Sequence, residues 1–302
     1  MSPKLDLGKF AESLGWAKAG VSEPEIRPES LRHYDEWLKH YKGAGLEYME
    51  RRKLERQSPK AYFPNVRSIL CFGLYYFPGW AAGPLKVSNY SWGQDYHEVL
   101  KTKLEQTVLE LIKVLGAFEY RICVDTSPVL EKVLAAQAGL GWQGKNSLVL
   151  NQEYGSFLFL GEIFTDIALE TFQATLNATN RCGTCERCIV ACPTGALEDS
   201  VLKTELCISY WTLEHRGAFT AKTPKWNNWI AGCDICQEVC PWNQDLIPLE
   251  GVSRLEISEE DIRLGGIHER VKDSALSYVP KDAWLRNLEH VSQETGKKTE
   301  IF

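Results

Sequence analysis

Eight of the ten cysteines of this chain lie between Cys182 and Cys240. Cysteines that merely fill a hydrophobic core are scattered along a sequence and do not gather in this way. In a reducing compartment, closely spaced cysteines indicate a metal centre rather than disulfide bonds. The chemistry predicted for this stretch is therefore metal binding through thiolates.

The spacing of these cysteines specifies the kind of metal centre. The segment CGTCERCIVACP (182–193) has the pattern C-x2-C-x2-C-x3-C-P, and CDICQEVCP (233–241) has C-x2-C-x3-C-P. In the first pattern three cysteines bind one iron–sulfur cubane, and the fourth binds the neighbouring cluster. The last cysteine of the second run should cross back in the same way. We therefore predict two 4Fe–4S clusters, the first held by Cys182, Cys185, Cys188 and Cys240, and the second by Cys192, Cys233, Cys236 and one more thiolate.

Cys207 is the predicted fourth ligand of the second cluster, because it lies between the two runs. Cys71 and Cys123 fall in predicted strands, where a small buried apolar residue is the expected role. The alternative is a second cluster with an open iron or with only three irons. A pair of four-cysteine zinc sites is disfavoured, since zinc ribbons pair two C-x2-C knuckles.

The long segment before the cysteines needs a purpose of its own. A two-cluster ferredoxin requires only about 60 to 80 residues on ordinary small-domain sizes. The order of apolar patterns predicts an α/β (α+β) domain over residues 1–175, a ferredoxin-like domain over 176–245 and a helical segment over 246–302. The predicted elements of the first domain are strands at 67–76, 120–124, 147–150 and 156–164, a helix at 98–115, and a helix opened by Ser127-Pro128 that stops at Gly139.

Composition and charge restrict the class of protein. The chain is 44% hydrophobic and 25% charged, and its formal charge is −6. It shows no secretory signal, no apolar run of membrane-spanning length and no heptad pattern, so we expect a cytoplasmic monomer. The net charge gives no general attraction for nucleic acid. Local basic groups beside aromatic residues would still suit single-stranded RNA; they are Arg51, Arg52, Lys53 and Arg56, and His215, Arg216, Lys222 and Lys225.

Three motifs of the first domain carry candidate chemistry. The loop GLGWQGKN (139–146) follows a helix and precedes a strand, the reverse of a nucleotide-binding P-loop. It suits either a polar ligand or a plain turn. The segment Asp95-Tyr96-His97 begins like a cobalt-binding D-x-H-x-x-G pattern, but Leu100 replaces the glycine, so His97 is expected at a helix entrance. Asp125 ends a predicted strand, where ligands of α/β sheets gather, and could donate a proton.

Taken together, these segments resemble the epoxyqueuosine reductases, which are related to reductive dehalogenases. The resemblance covers roughly residues 5–245. It depends on the cysteine region and on SNYSWGQDYH (88–97), VDTSPVLEK (124–132), AGLGWQGKNSLV (138–149), FLGEIFTD (159–166) and CISYWTLEHRG (207–217).

The resemblance implies cobalamin in the first domain, without a protein histidine on cobalt, beside two 4Fe–4S clusters. It implies reduction of epoxyqueuosine to queuosine at the wobble position of tRNA anticodons, the last step of queuosine biosynthesis. Asp125 would be the proton donor, and Cys207, which opens the CISYWT motif, a cluster ligand. The residues expected to bind the cofactor are Arg52, Trp92, Asp95, His97, Ser127, Trp142, Lys145, Asn146, His215 and Arg216.

The implied partners are tRNA and an external electron donor of the flavodoxin or ferredoxin type. Three other functions remain open from sequence. The chain could be a cobalamin-dependent reductase of a small molecule such as an organohalide. It could be a two-cluster electron carrier, or an RNA-binding module with structural clusters.

Overall fold

In the computed structural model of the chain, the described residues are 3–41, 45–174, 178–198, 200–220 and 223–294. The strands are β1 Lys18–Ser22, β2 Ser68–Tyr75, β3 Lys86–Val87, β4 Tyr120–Cys123, β5 Trp142–Gln143, β6 Val149–Leu150, β7 Leu158–Thr165, β8 Leu197–Glu198, β9 Val201–Leu202 and β10 Trp229–Ala231. The α-helices are α1 Leu7–Ser13, α2 Pro28–Tyr41, α3 Glu47–Arg51, α4 Lys53–Gln57, α5 Pro59–Tyr62, α6 Tyr96–Leu115, α7 Glu131–Gln137, α8 Arg187–Ala191, α9 Ile235–Glu238, α10 Glu259–Arg263, α11 Ile267–Val271 and α12 Lys281–Glu294.

A four-stranded sheet in the order β1-β2-β7-β4 organises the first part of the chain. All of its strand pairs are antiparallel. Alternate side chains of β2 point to opposite faces. Leu70 and Phe72 pack with α1 and α6, whereas Ile69 and Cys71 pack with α7. Because both faces of the sheet are covered, β2 reads in the sequence as a continuous apolar run.

Most predicted elements of this part are confirmed, and the mixed α and β class is confirmed with them. The 98–115 helix begins two residues earlier, at Tyr96, where the Asp95 side chain caps it by accepting from the His97 backbone N–H. The predicted start of the next helix at Ser127-Pro128 is wrong, because α7 begins at Glu131. Asp125 has a φ of 40°, which turns the chain before any helix can start. The reason given for Asp125 as a site residue, that ligands gather at strand ends, is also wrong. That rule applies to parallel sheets, and this sheet is antiparallel.

A separate core joins the cysteine region to the C-terminal helices. It contains Trp226, Trp229 and Trp284, which are fully buried, and it also receives Leu85 and Val87 from the first part of the chain. Asn287 of α12 donates hydrogen bonds to the backbone oxygens of Thr212 (2.9 Å) and Ile230 (3.0 Å). The helical character predicted for the last fifty residues is confirmed through Glu294, and the end of the chain lies outside the described residues.

The domain limits at 175 and 245 stay predictions. No helix in the described ranges has both the length and the apolar character needed to cross a bilayer.

We expect Trp284→Ala to lower the free energy of unfolding by about 3–5 kcal/mol, because it leaves a large cavity in the core shared by the cysteine region and α12. Urea denaturation followed by circular dichroism measures this loss. Glu289→Ala, on the exposed side of the same helix, should change the free energy by less than about 0.5 kcal/mol. Equal effects of the two substitutions would contradict the packing described for α12.

Candidate functional site

A large cavity lies beside the sheet, between the loop after β4 and the segments around residues 48–56, 95–101 and 275–278. Its volume is about 1760 Å³. Pockets for drug-sized ligands are roughly 300–1,000 Å³. The cavity therefore has room for a macrocyclic cofactor together with part of a second molecule.

Asp125, His97 and Asp95 form a hydrogen-bonded row on the wall of this cavity. The Nε2 of His97 lies 3.1 Å from the Oδ2 of Asp125, and its Nδ1 lies 2.6 Å from the Oδ1 of Asp95. The hydrogen bond to Asp125, and after it the one to Asp95, raise the pKa of His97 to about 9, although burial opposes them. At neutral pH His97 is therefore a cation that donates from both ring nitrogens and has no lone pair for a metal.

The backbone around Asp125 is fixed by a glutamate that follows in the chain. Asp125 has a positive φ of 40°, an unusual conformation for a residue with a side chain. Its N–H donates to the Oε1 of Glu131 over 2.5 Å. Glu131 opens α7, so the helix holds the loop that presents Asp125 to the cavity.

Glu131, Lys132 and Glu162 belong to this site and were missed by the sequence analysis. Burial, and then the charge of Asp125, raise the pKa of Glu131 to about 8. Lys132 lines the cavity, where desolvation lowers its pKa, and its Nζ donates to the Ser147 carbonyl over 3.1 Å. The only early sign was that Glu131-Lys132 closes the VDTSPVLEK segment.

The cysteines fall into two spatial groups. Burial and then the nearby thiols of Cys188, Cys182 and Cys185 raise the pKa of Cys240 to about 11. Charges on neighbouring thiols interact strongly only over short distances, and Cys182 packs against the small core that contains Cys240. The structure thus brings Cys240, from the second cysteine run, to the first three cysteines of the first run.

The second group forms around Cys236. Burial and then Cys207 raise the pKa of its thiol, with smaller contributions from Cys188 and Cys192. The pKa of the Cys233 thiol is also raised, by burial and then by its neighbours Cys236 and Cys207. Among the described residues, no three His, Cys, Asp or Glu side chains converge as a single metal ion requires. A cubane makes a different demand, because it binds each thiolate through a different iron.

The second group lies next to the cavity. The thiols of Cys236 and Cys207 both act on the pKa of Lys132, which is lowered chiefly by burial. The first group has an exposed helix beside it, because α8, which carries Cys188, has no buried residue and its Val190 is 80% exposed.

Some of the expected cofactor residues line the cavity and others do not. Arg52, Asp95, His97 and Ser127 line it together with Asp125. Trp92 is buried and its Nε1 donates to the Val87 carbonyl over 3.2 Å, so it supports the wall from behind. The other five expected residues, Trp142, Lys145, Asn146, His215 and Arg216, are not among those that line the cavity. Their part in cofactor binding stays a prediction.

The five residues outside the cavity lining have structural neighbours of their own. Trp142 packs edge-on against Trp242 in a small core with Cys240. Lys145 lies 3.9 Å from Glu186, and Asn146 is buried and accepts from the Leu148 backbone N–H over 3.3 Å. His215 and Arg216 follow the π-helical turn Tyr210–Glu214, where His215 packs against Trp211. Lys222, expected in the same basic group, lies outside the described residues.

Fold and site together define an iron–sulfur protein whose cluster domain adjoins an α+β domain with a large cavity. Residues 181–243 match the family model of the 4Fe-4S double cluster binding domain, and the protein carries two such cluster sites. Residues 56–126 match the model described as epoxyqueuosine reductase QueG, DUF1730.

The epoxyqueuosine reductase of Cyclobacterium marinum is 35% identical to this chain, over 95% of the chain and 96% of the relative. The structure of the reductase from Streptococcus thermophilus superimposes with a TM-score of 0.76 at 28% identity, covering 95% of this chain and 80% of that one. A crystal structure of an epoxyqueuosine reductase with an epoxyqueuosine-modified tRNA stem loop gives a TM-score of 0.73 at 25% identity, over 95% and 81% of the two chains. The chain belongs to the epoxyqueuosine reductase family.

We expect NMR titration to show that His97 loses its proton near pH 9, whereas Asp125→Asn should move this titration down towards the ordinary value of about 6.5. The neutral amide removes the largest interaction that holds the proton. Because the pKa is raised on folding, the stabilisation from His97 is complete below about pH 6.5 and is lost as the pH rises through about 9. Glu110→Gln, on the exposed side of α6, is the matched control and should leave the titration unchanged. A His97 pKa near 6.5 in the wild type would contradict the geometry.

Proposed function

We propose that this chain reduces epoxyqueuosine to queuosine in tRNA, using cobalamin that receives electrons through the two 4Fe–4S clusters. The observation that carries the proposal is the placing of Asp125 on a cavity that also adjoins the second cysteine group. Family membership supports the reaction, and the relative bound to a modified tRNA stem loop supports the substrate. A small-molecule reductase and a simple electron carrier are the alternatives that the experiments below test.

The first cluster is assigned to Cys182, Cys185, Cys188 and Cys240, and the second to Cys192, Cys207, Cys233 and Cys236. The grouping of the thiols supports both sets. When bound, the clusters would carry electrons from an external donor of the flavodoxin or ferredoxin type towards the cavity, and the second of them would lie beside Lys132.

The cavity fits cobalamin in size and in chemistry. Arg56 is 7% exposed and lines the cavity, and its Nη1 has no hydrogen-bond partner within the described part of the chain. Arginine is well suited to a phosphate such as that of the cobalamin nucleotide. Arg52 and Ser127 would hold other polar groups of the cofactor. His97 is engaged by Asp95 and Asp125, which supports binding without histidine on cobalt. When bound, cobalamin would supply strongly reducing electrons to the epoxide.

Asp125 is the proposed proton donor to the epoxide oxygen. His97 lies 3.1 Å from its carboxylate and holds a proton at neutral pH, so the pair can pass that proton through Asp125. The fixed loop backbone aims the carboxyl at the cavity, which orients the donor before the substrate arrives. His97 thus acts through Asp125 as a positioning and proton-holding residue.

The basic side chains at the cavity support a tRNA contact at its mouth. Arg51 and Arg52 line it, and Tyr48, 45% exposed, lies beside them. Cations and an aromatic ring suit an unpaired nucleotide. We further propose a cytoplasmic monomer, since the large apolar side chains exposed in the described part of the chain are scattered, as at Leu54, Ile247 and Leu264.

We expect Asp125→Asn to reduce turnover of epoxyqueuosine-containing tRNA by about 10²–10⁴-fold, the usual contribution of a general acid. The assay uses anaerobically reconstituted enzyme with cobalamin and a chemical reductant, and nucleoside analysis by mass spectrometry. Glu110→Gln serves again as the control and should keep the wild-type rate.

Three outcomes would count against the proposal. Full turnover by the Asp125 variant with all cofactors bound would remove the aspartate from the mechanism. Wild-type enzyme that binds cobalamin but leaves the tRNA unchanged, while reducing an organohalide, would favour the small-molecule reductase. Clusters without any affinity for cobalamin would favour an electron carrier.

We expect Cys207→Ser to lose the second cluster and keep the first, so that iron falls from about eight to about four per chain. Iron and sulfide analysis with electron paramagnetic resonance measures the loss. Cys71→Ala is the matched control, because Cys71 is fully buried in the sheet core, and it should keep both clusters. An unchanged iron content in the Cys207 variant would mean that another group is the fourth ligand of the second cluster.

A further inference from the structure

The proposed reaction, on which this inference rests, consumes more protons than Asp125 can hold. Converting the epoxide to an alkene breaks both carbon–oxygen bonds, and the oxygen leaves as water. The balance requires two electrons, from the external donor through the clusters, and two protons. One carboxyl carries one proton, so Asp125 must be protonated again within each turnover.

The proton of His97 can serve the first protonation through Asp125, and Glu131 is the remaining acid beside Asp125 in position to supply the second. It lines the same cavity as Asp125, and its Oε1 accepts the Asp125 backbone N–H over 2.5 Å. It is the first residue of α7, so helix and loop keep the two carboxyl groups together. His97 approaches Asp125 through its side-chain oxygen, whereas Glu131 approaches through the backbone. The two neighbours therefore do not compete for the same atom.

A second buried carboxyl lies behind Glu131. Glu162 of β7 is fully buried, and neither of its carboxyl oxygens has a hydrogen-bond partner in the described ranges. It stands opposite Cys71 and Cys123 in the sheet, on the face covered by α7. Burial, and then Glu131, raise the pKa of Glu162 well above its ordinary value, so it is neutral.

The groups that face Glu131 are Asp125, His97, Lys132 and Glu162, with the buried thiols of Cys71 and Cys123 beyond. Asp125 disfavours a charge on Glu131, while Lys132 and His97 favour one. Burial outweighs both cations and raises the pKa of Glu131 to about 8. Glu131 therefore holds a proton at neutral pH and loses it as the pH rises through about 8.

We propose that Glu131 supplies the second proton of the reaction by reprotonating Asp125. Asp125 first protonates the epoxide oxygen as one carbon–oxygen bond breaks, which leaves a hydroxyl group. Glu131 then passes its proton to the Asp125 carboxylate, and Asp125 gives it to the hydroxyl as the second bond breaks and water leaves. Solvent entering the opened cavity restores the proton of Glu131.

The test combines turnover with a spectroscopic measurement that needs no cofactor. Glu131→Gln keeps the oxygen that accepts from Asp125 but has no proton to give. We expect its turnover to fall at least about ten-fold, short of the 10²–10⁴-fold of a direct general acid. The decline of the wild-type rate through about pH 8 should disappear in this variant. Glu131→Asp should recover part of the rate.

Infrared difference spectroscopy of the cofactor-free protein should show a protonated carboxyl band that titrates near pH 8 and is absent in Glu131→Gln. Glu162→Gln should remove a band that does not titrate in this range. A wild-type rate and pH profile in Glu131→Gln, or no titrating band, would overturn the inference. The Asp125→Asn variant would still test the proposed function separately. Loss of turnover in Asp125→Asn alone would support the proposed function without the Glu131 relay.

Discussion

In the proposed cluster assignment the two cysteine runs exchange ligands across more than forty residues of chain, and the rest of the structure is arranged around that exchange. Cys240 joins Cys182, Cys185 and Cys188, so the second run is anchored on the first. The helices α8 and α9 are pressed together as a result. This packing sets one thiol group near the surface and the other against Lys132 at the cavity. Electron entry at the first thiol group and substrate chemistry in the cavity can therefore lie on opposite sides of the second thiol group.

The parts of the site that depend on spacing along the chain could be predicted, and the parts that depend on environment could not. The spacing within each cysteine run is local, so the pattern indicated two clusters, and the match to the double-cluster family model confirms them. The ligand sets stay predictions, which the grouping of the thiols supports. Glu131 and Glu162 look like ordinary acids in the sequence. The fold raises the pKa of both, because it buries Glu162 in the sheet beneath α7 and sets Glu131, the first residue of that helix, in the cavity wall away from bulk water. The sequence alone does not reveal such an environment.

The secondary structure was predicted best for elements whose apolar residues follow one clear periodic pattern. The apolar run of β2 and the stripe of α6 gave elements within two residues of those observed. Ser127-Pro128 is a good local signal for a helix start, but the turn at Asp125 and its bond to Glu131 delay the helix to residue 131. A local preference of this kind is weak against a tertiary contact. The contact between Asp125 and Glu131 therefore outweighs the helix-start preference of Ser127-Pro128 in the loop that presents Asp125 to the cavity.

The hydrogen bonds from Asn287 have a consequence for how often the cluster region meets water. They fasten α12 to the backbone at Thr212 and Ile230, and both positions lie in the chain between Cys207 and Cys233. Terminal helices are among the first elements to open in local unfolding. Each brief detachment of α12 would uncover the tryptophan core that encloses this chain. The lifetime of the clusters in air is thus tied to the fraying of a helix that supplies none of their proposed ligands.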